Sequence, residues 1–138
     1  VGLLIDSTVF VTAERRQETA RDVVARILQE HGDVELALSV MSAGELVHGC
    51  GRADSAPRRA RREEFVESIL AAIPVVPLTL AIARLYGELD ARFIARGRRL
   101  PTSDLLIAST ALYRGDGLLT GNPRHFARIR ELTVRRYV

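Results

Sequence analysis

The 138 residues are 47% hydrophobic and 27% charged, which excludes a disordered or fibrous chain and suits one domain that buries a core without disulfides or structural metal. All 20 basic residues are Arg, and the net charge is +3; the absence of Lys excludes Walker A loops, Schiff-base enzymes and Ser–Lys hydrolases, each of which needs an amine. The lone Cys50 excludes an intrachain disulfide, fits a reducing compartment and reads as core filler.

The continuous apolar run Val1 to Ile5, ending abruptly at Asp6, has the pattern of a strand buried on both faces. A short helix is predicted around Thr8 to Glu14. A longer one follows over Thr19 to His31, where Val23, Val24, Ile27 and Leu28 recur at helical spacing until Gly32 stops it. Val34 to Leu38 reads as the second strand, and Ser42-Ala-Gly-Glu45 has the capping-box pattern that opens a helix to about Gly49. The basic stretch Arg52 to Arg62 leads, with Pro57 in a first turn, into a helix through Phe65, Ile69 and Leu70. Ile73 to Leu78 reads as a brief strand bounded by prolines. Thr79 to Arg96 repeats Ile82, Leu85, Leu89 and Phe93, an amphipathic helix stopped by Gly97. After the basic loop Gly97 to Pro101, the apolar Leu105 to Leu112 behind Thr102-Ser103-Asp104 predicts a buried helix with a polar N-terminus. Gly117 to Thr120 is a further strand, and Thr133 to Tyr137 suits an edge strand.

Strands alternating with helices of this length predict an α/β domain over 1–138, with a central parallel sheet of about four to five strands and helices on both faces. Ligands bind such sheets outside the carboxyl ends of the strands. Asp6, Glu45, Asp104 and Asn122 all fall at strand ends or helix starts on that edge. Two unit charges ~4 Å apart at an effective dielectric near 20 repel by about 4 kcal/mol. Three converging carboxylates therefore call for a counter-charge, and without Lys a divalent cation with oxygen ligands, Mg²⁺ or Mn²⁺, is the natural one. Each acid also has a purely structural reading: a helix cap for Asp6, the partner in a capping box for Glu45, a helix-dipole charge for Asp104.

The segments Leu3-Leu-Ile-Asp6-Ser-Thr8, Ser42-Ala-Gly-Glu45-Leu, Ser103-Asp104-Leu-Leu-Ile-Ala108 and Leu119-Thr120-Gly-Asn122-Pro-Arg-His125-Phe126 resemble PIN-domain ribonucleases, specifically VapC toxins of type II toxin–antitoxin pairs, in order along the whole chain. The resemblance implies an endoribonuclease that needs Mg²⁺ or Mn²⁺, cuts cellular RNA with a metal-activated water and is silenced by a VapB-type antitoxin. It implies catalytic and metal-binding roles for Asp6, Glu45 and Asp104, with polar support from Ser7, Thr120, Asn122 and His125. Many relatives carry Asp where this chain has Asn122 or His125. Either residue is left to fill that fourth position, and the number of ions, one or two, stays open with it.

RNA needs cations. Arg96, Arg98 and Arg99, next to Asp104 in sequence, are the first candidates; Arg52, Arg58, Arg59, Arg61 and Arg62 read equally well as a solvated helix face pairing with Glu63, Glu64 and Glu67. The resemblance, together with apolar residues of the first helices such as Val9, Phe10, Val24 and Leu28, implies a homodimer and a groove for an antitoxin segment. A haloacid-dehalogenase phosphatase is excluded by Thr8, where a second Asp is needed, and by the lack of Lys. A PIN-like module that binds RNA or antitoxin with weak catalysis is the remaining alternative. The N-terminal run lacks a basic leader and the longest uncharged stretch, Ser68 to Ala83, is broken by Pro74 and Pro77, so a cytoplasmic protein without a membrane span is expected.

Overall fold

Residues 2–138 are described by the computed structural model, so Val1 of the predicted first strand lies outside the described residues. The elements run β1 (Leu3–Ile5), α1 (Ser7–Arg15), α2 (Ala20–His31), β2 (Leu36–Ser39), α3 (Val40–Gly51), α4 (Ala56–Ala72), β3 (Val75–Val76), α5 (Leu80–Ala95), α6 (Thr102–Arg114), β4 (Gly117–Thr120), a 3₁₀ turn (Pro123–Phe126) and β5 (Val134–Arg136).

The five strands form one sheet in the order β3-β2-β1-β4-β5, and every pairing is parallel. Side chains alternate across it. Leu3, Ile5, Leu38 and Leu119 face one core with Val9 and Phe10 of α1, Val23 and Ile27 of α2, and Val66 and Ile69 of α4. Leu4, Ala37 and Leu118 face the other, with Leu89 and Phe93 of α5, Leu105 and Ala108 of α6, and Phe126. Leu4 and Leu118 are fully buried, and truncating either to Ala would cost about 2–5 kcal/mol through lost transfer energy and the cavity left behind.

The strand order locates the crevice. From β1 the chain steps outward to β2 and β3, then α5 and α6 carry it back over the opposite face to β4, which pairs with the other side of β1. The reversal falls between β1 and β4, where a parallel sheet opens a pocket at its carboxyl edge. Just past β1 the seam is held by the Asp6 amide, which donates to the Leu119 carbonyl at 2.8 Å.

Helix limits follow local chemistry. Gly32 and Gly97, which end α2 and α5, sit at φ of 84° and 70°, a region costly for residues with a Cβ. Two sequence expectations fail. The capping box at Ser42 and Glu45 does not form, because α3 starts at Val40 and Ser39, the last residue of β2, caps it by accepting from the Met41 amide at 3.0 Å. Strand leads into helix without a loop, so the hydroxyl at the end of the strand takes the capping place; Ser42 is fully buried inside the helix and its Oγ has no partner among the described residues. The strand expected over Ile73 to Leu78 shrinks to Val75–Val76, since Pro74 and Pro77 lack the N–H a ladder needs. Only the Pro74 carbonyl joins the pairing, accepting from Leu38 N at 2.9 Å. Cys50 is buried in the first core, and burial pushes its thiol above the ordinary range, as a packing residue requires.

Candidate active site

Asp6 precedes α1 with an extended backbone, yet its side chain makes no capping hydrogen bond. Its buried carboxylate turns across the seam instead. Oδ2 accepts from Thr8 Oγ1 at 2.7 Å and from Thr120 Oγ1 at 2.8 Å. Thr8 Oγ1 accepts from Gly121 N at 2.8 Å and Thr120 Oγ1 from Asn122 N at 3.0 Å, and the two hydroxyl oxygens lie 3.2 Å apart. Each hydroxyl thus receives from the chain and donates to Asp6. One carboxylate oxygen is held, and no hydrogen bond among the described residues engages Oδ1.

Glu45 stands in the second turn of α3, where Ser7 Oγ donates to its Oε1 at 3.0 Å. Its carboxyl is raised above the usual carboxylate range, first by loss of solvation, with the charges of Asp6 and Asp104 adding and the Ser7 hydrogen bond opposing. Asp104, in the first turn of α6, is raised chiefly by burial; His125 opposes this and Asp6 adds to it. His125 Nδ1 lies 3.6 Å from Asp104 Oδ2, beyond hydrogen-bond length but close enough for their charges to interact. The charges of Asp6 and Asp104 act on Glu45, and that of Asp6 on Asp104, so the three acids gather at one crevice. The purely structural readings of Asp6 and Glu45 fail, since neither side chain caps a helix.

The two candidates for the fourth position stand differently toward the acids. His125, in the 3₁₀ turn, reaches Asp104, whereas Asn122 contributes a backbone amide to Thr120. Thr8 was legible only as an obstacle to a phosphatase site; the structure makes it half of the clamp on Asp6. Its signal was available in the Asp-x-Thr spacing at a strand end, which lets a hydroxyl turn back onto the carboxylate two residues earlier.

A hard divalent cation suits this donor set by charge and by oxygen type. No three His, Cys, Asp or Glu side chains among the described residues are gathered closely enough to hold a metal ion by themselves.

The arginines divide. Arg96, Arg98 and Arg99 are exposed in the turn after α5. Arg92 bonds Glu131 and holds its carboxyl below the ordinary range, and Arg96 adds to that effect. In the second cluster Arg58 pairs with Asp54 and Arg59 with Glu63, both at 3.3 Å, while Arg62 reaches Glu14 at 2.9 Å and the Gly49 carbonyl at 2.8 Å. The expected pairing with glutamates is thus realised for Arg59, and Arg62 ties three helices together. Val9 and Phe10 are fully buried in the first core, so they present no dimer surface, which corrects the sequence reading. A groove of about 410 Å³ nevertheless runs between α1, α3 and α4, lined by Ser7, Phe10, Val11, Glu45, Leu46 and Arg52. A larger cavity of about 560 Å³ lies at the opposite edge of the sheet, beside Gly2, His31 and Asp116, and includes none of the three acids.

The family model for the PIN domain matches residues 3–132. The chain belongs to the PIN-domain family. Within it, the chain is 35% identical over 130 residues to ribonuclease VapC10 of Mycobacterium tuberculosis, a match covering 94% of this chain and 90% of that one. Ribonuclease VapC1 of Rickettsia felis is 25% identical, covering 97% and 95%. Among solved structures, VapBC2 of Rickettsia felis bound to a promoter DNA fragment superposes with a TM-score of 0.84 at 20% identity over the full length of both chains, which establishes the PIN fold. This PIN domain is thus a member of the VapC ribonuclease group, and its acids fall on the sheet edge where the sequence placed them.

Proposed function

We propose that this chain is a Mg²⁺- or Mn²⁺-dependent endoribonuclease toxin, held in check in the cytoplasm by a VapB-type antitoxin. The observation that carries the reading is the clamp on Asp6: two hydroxyls hold one oxygen at the β1–β4 crevice and leave the other free, with Glu45 and Asp104 in the same electrostatic field.

Asp6 and Asp104 are the principal ligands for the cation, Glu45 is a ligand or base, and His125 takes the fourth position in preference to Asn122. When bound, the divalent ion supplies Lewis acidity toward the phosphate and a water of lowered pKa. The protein's own part is orientation and proton handling. Ser7 fixes the Glu45 carboxylate, whose raised proton affinity suits it to take the proton of the attacking water. Water would add to phosphorus as the bond from phosphorus to the leaving ribose oxygen breaks, Glu45 taking the proton of the water and solvent supplying one to the leaving oxygen. The Thr8 and Thr120 hydroxyls keep Asp6 from rotating away as this proceeds.

The solved relatives include VapBC toxin–antitoxin complexes, and the groove between α1, α3 and α4 opens beside Glu45, where an antitoxin segment carrying a basic side chain would both fill the groove and neutralise the acids. A homodimer is expected through the exposed Val40, Val47, Leu78 and Leu80; light scattering showing only monomer at micromolar concentration would contradict it. The decisive assay for the activity is incubation of the purified chain with structured RNA and Mn²⁺. Discrete cuts that stop with EDTA and with a VapB-type antitoxin support the proposal. Binding of RNA or antitoxin without any cut would instead make the chain a non-catalytic module.

A further inference from the structure

The register of β5 brings an arginine into the row of the clamped carboxylate. Ile5 pairs with Leu119 and Leu119 with Arg135, so the next row runs from Asp6 through Thr120 to Arg136, and Thr120 and Arg136 are themselves paired. Alternation sets the face. Leu118 and Val134 pack in the core under α5 and α6, while Leu119 and Tyr137 belong to the core under α1 and α2. Thr120 and Arg136 therefore share the α5–α6 side, and the Arg136 backbone stands one strand from Thr120 and about 10 Å from Asp6 across two strand spacings.

Its charge is uncommitted. Arg26, Arg58, Arg59, Arg62, Arg92 and Arg114 are each paired with a carboxylate. Arg136 is exposed, and no ion pair or side-chain hydrogen bond among the described residues engages it. The same holds for Arg124, in the 3₁₀ turn that packs against β5 and carries His125. A polyanion brought to three carboxylates meets repulsion, and guanidinium groups beside the crevice offset it while gripping phosphate oxygens in pairs. Arg96, Arg98 and Arg99 are exposed as well, but they belong to the turn between α5 and α6 and not to the β1–β4–β5 row.

We propose that Arg136, with Arg124 of the 3₁₀ turn that packs against β5, grips the RNA phosphate neighbouring the scissile one, so that the substrate lies across the carboxyl ends of β1, β4 and β5. The inference rests on the ribonuclease reading above and adds the direction in which the RNA crosses the site. A phosphate contact contributes affinity and salt dependence with little base preference.

The test compares Arg136→Gln and Arg124→Gln, each in an Asp6→Asn background that prevents cutting, with Asp6→Asn alone, binding a single-stranded RNA oligonucleotide over a range of NaCl. The expected result is affinity about tenfold weaker for Arg136→Gln, with the slope of log affinity against log salt reduced by about 1. Arg136→Lys should keep the slope and recover part of the affinity. In the cutting-competent chain, Arg136→Gln should raise KM with kcat nearly unchanged. Thermal melting serves as the folding control for this exposed position. Parental affinity and slope in both Gln variants would overturn the inference and leave the ribonuclease reading intact. Absence of RNA binding by the parent, together with absence of cutting by the wild type, would overturn both.

Discussion

Thr120 donates its hydroxyl to Asp6 Oδ2 at 2.8 Å although the two residues are 114 apart in the chain. The bond spans the seam where the strand order reverses, so the fold's connectivity and the candidate chemistry meet at one oxygen. Thr8 binds the same oxygen from the other side. Groups that orient a metal ligand typically contribute 10–100-fold to metal affinity. Thr120→Val should therefore weaken Mn²⁺ binding by about 10–100-fold and lower stability by about 1–3 kcal/mol, since the Asn122 amide loses its acceptor. Thr8→Val should act in the same direction, and the double variant should lose less than the sum because both hydroxyls serve one oxygen. Calorimetric titration checks this; unchanged Mn²⁺ affinity in both single variants would contradict it.

The raised carboxyls of Glu45 and Asp104 make a prediction about stability and pH. A group with a folded pKa above its unfolded value binds more protons when folded, so its contribution to stability is complete below the unfolded pKa and is lost as pH rises through the folded one. In the metal-free protein these two acids therefore weaken the fold at neutral pH. Asp104→Asn should raise the melting temperature at pH 7 without added metal, by ~3–5 °C for each kcal/mol relieved, and the gain should shrink as pH falls toward the carboxylate range. Mn²⁺ should stabilise the wild type more than the variant. A lower melting temperature for metal-free Asp104→Asn would contradict the account.

Ser42 provides a test of where α3 begins. A serine acting as a helix cap costs about 1 kcal/mol when replaced by Ala. A buried, unpartnered hydroxyl inside a helix predicts the opposite sign, because its removal relieves desolvation and improves helix propensity. Ser42→Ala should be neutral or stabilising by up to about 1 kcal/mol in urea unfolding, while Ser39→Ala should destabilise by about 1 kcal/mol.

Neighbouring arginines should differ sharply. Arg62 joins α4 to Glu14 of α1 and to the Gly49 carbonyl of α3, so Arg62→Ala should cost about 1–2 kcal/mol after allowance for its partial exposure. Arg61 is exposed, without an ion pair among the described residues, and Arg61→Ala should stay within about 0.5 kcal/mol. Equal effects in urea unfolding would contradict the assignment of Arg62 as the strap.

What could be read from sequence was what local chemistry decides. The run before Asp6 gave β1, Gly32 and Gly97 gave helix ends, and the polar start of α6 placed Asp104. At α3 the sequence pattern misled: Ser42 has the spacing of a capping box with Glu45, and only the absence of a loop after β2 gives the cap to Ser39. Properties that depend on partners distant in the chain were out of reach. Arg61 and Arg62 are identical in kind until α1 is seen beside α4, and Arg136 is an ordinary strand arginine until its register with Thr120 is known. The approach of His125 to within 3.6 Å of Asp104 was likewise out of reach, since it depends on the turn after β4.

The central claim is that Asp6 holds a divalent cation that the cleavage of RNA requires. Asp6→Asn preserves the shape of the side chain and removes its charge, so one measurement is sufficient: the rate of RNA cutting by wild type and by this variant in Mn²⁺, each repeated in EDTA. With several kcal/mol of charge stabilisation attributed to the ion, the variant should lose on the order of 1,000-fold in rate, and the wild type in EDTA should fall to the same level. Cutting by Asp6→Asn at the wild-type rate, or wild-type cutting that persists in EDTA, would contradict the account.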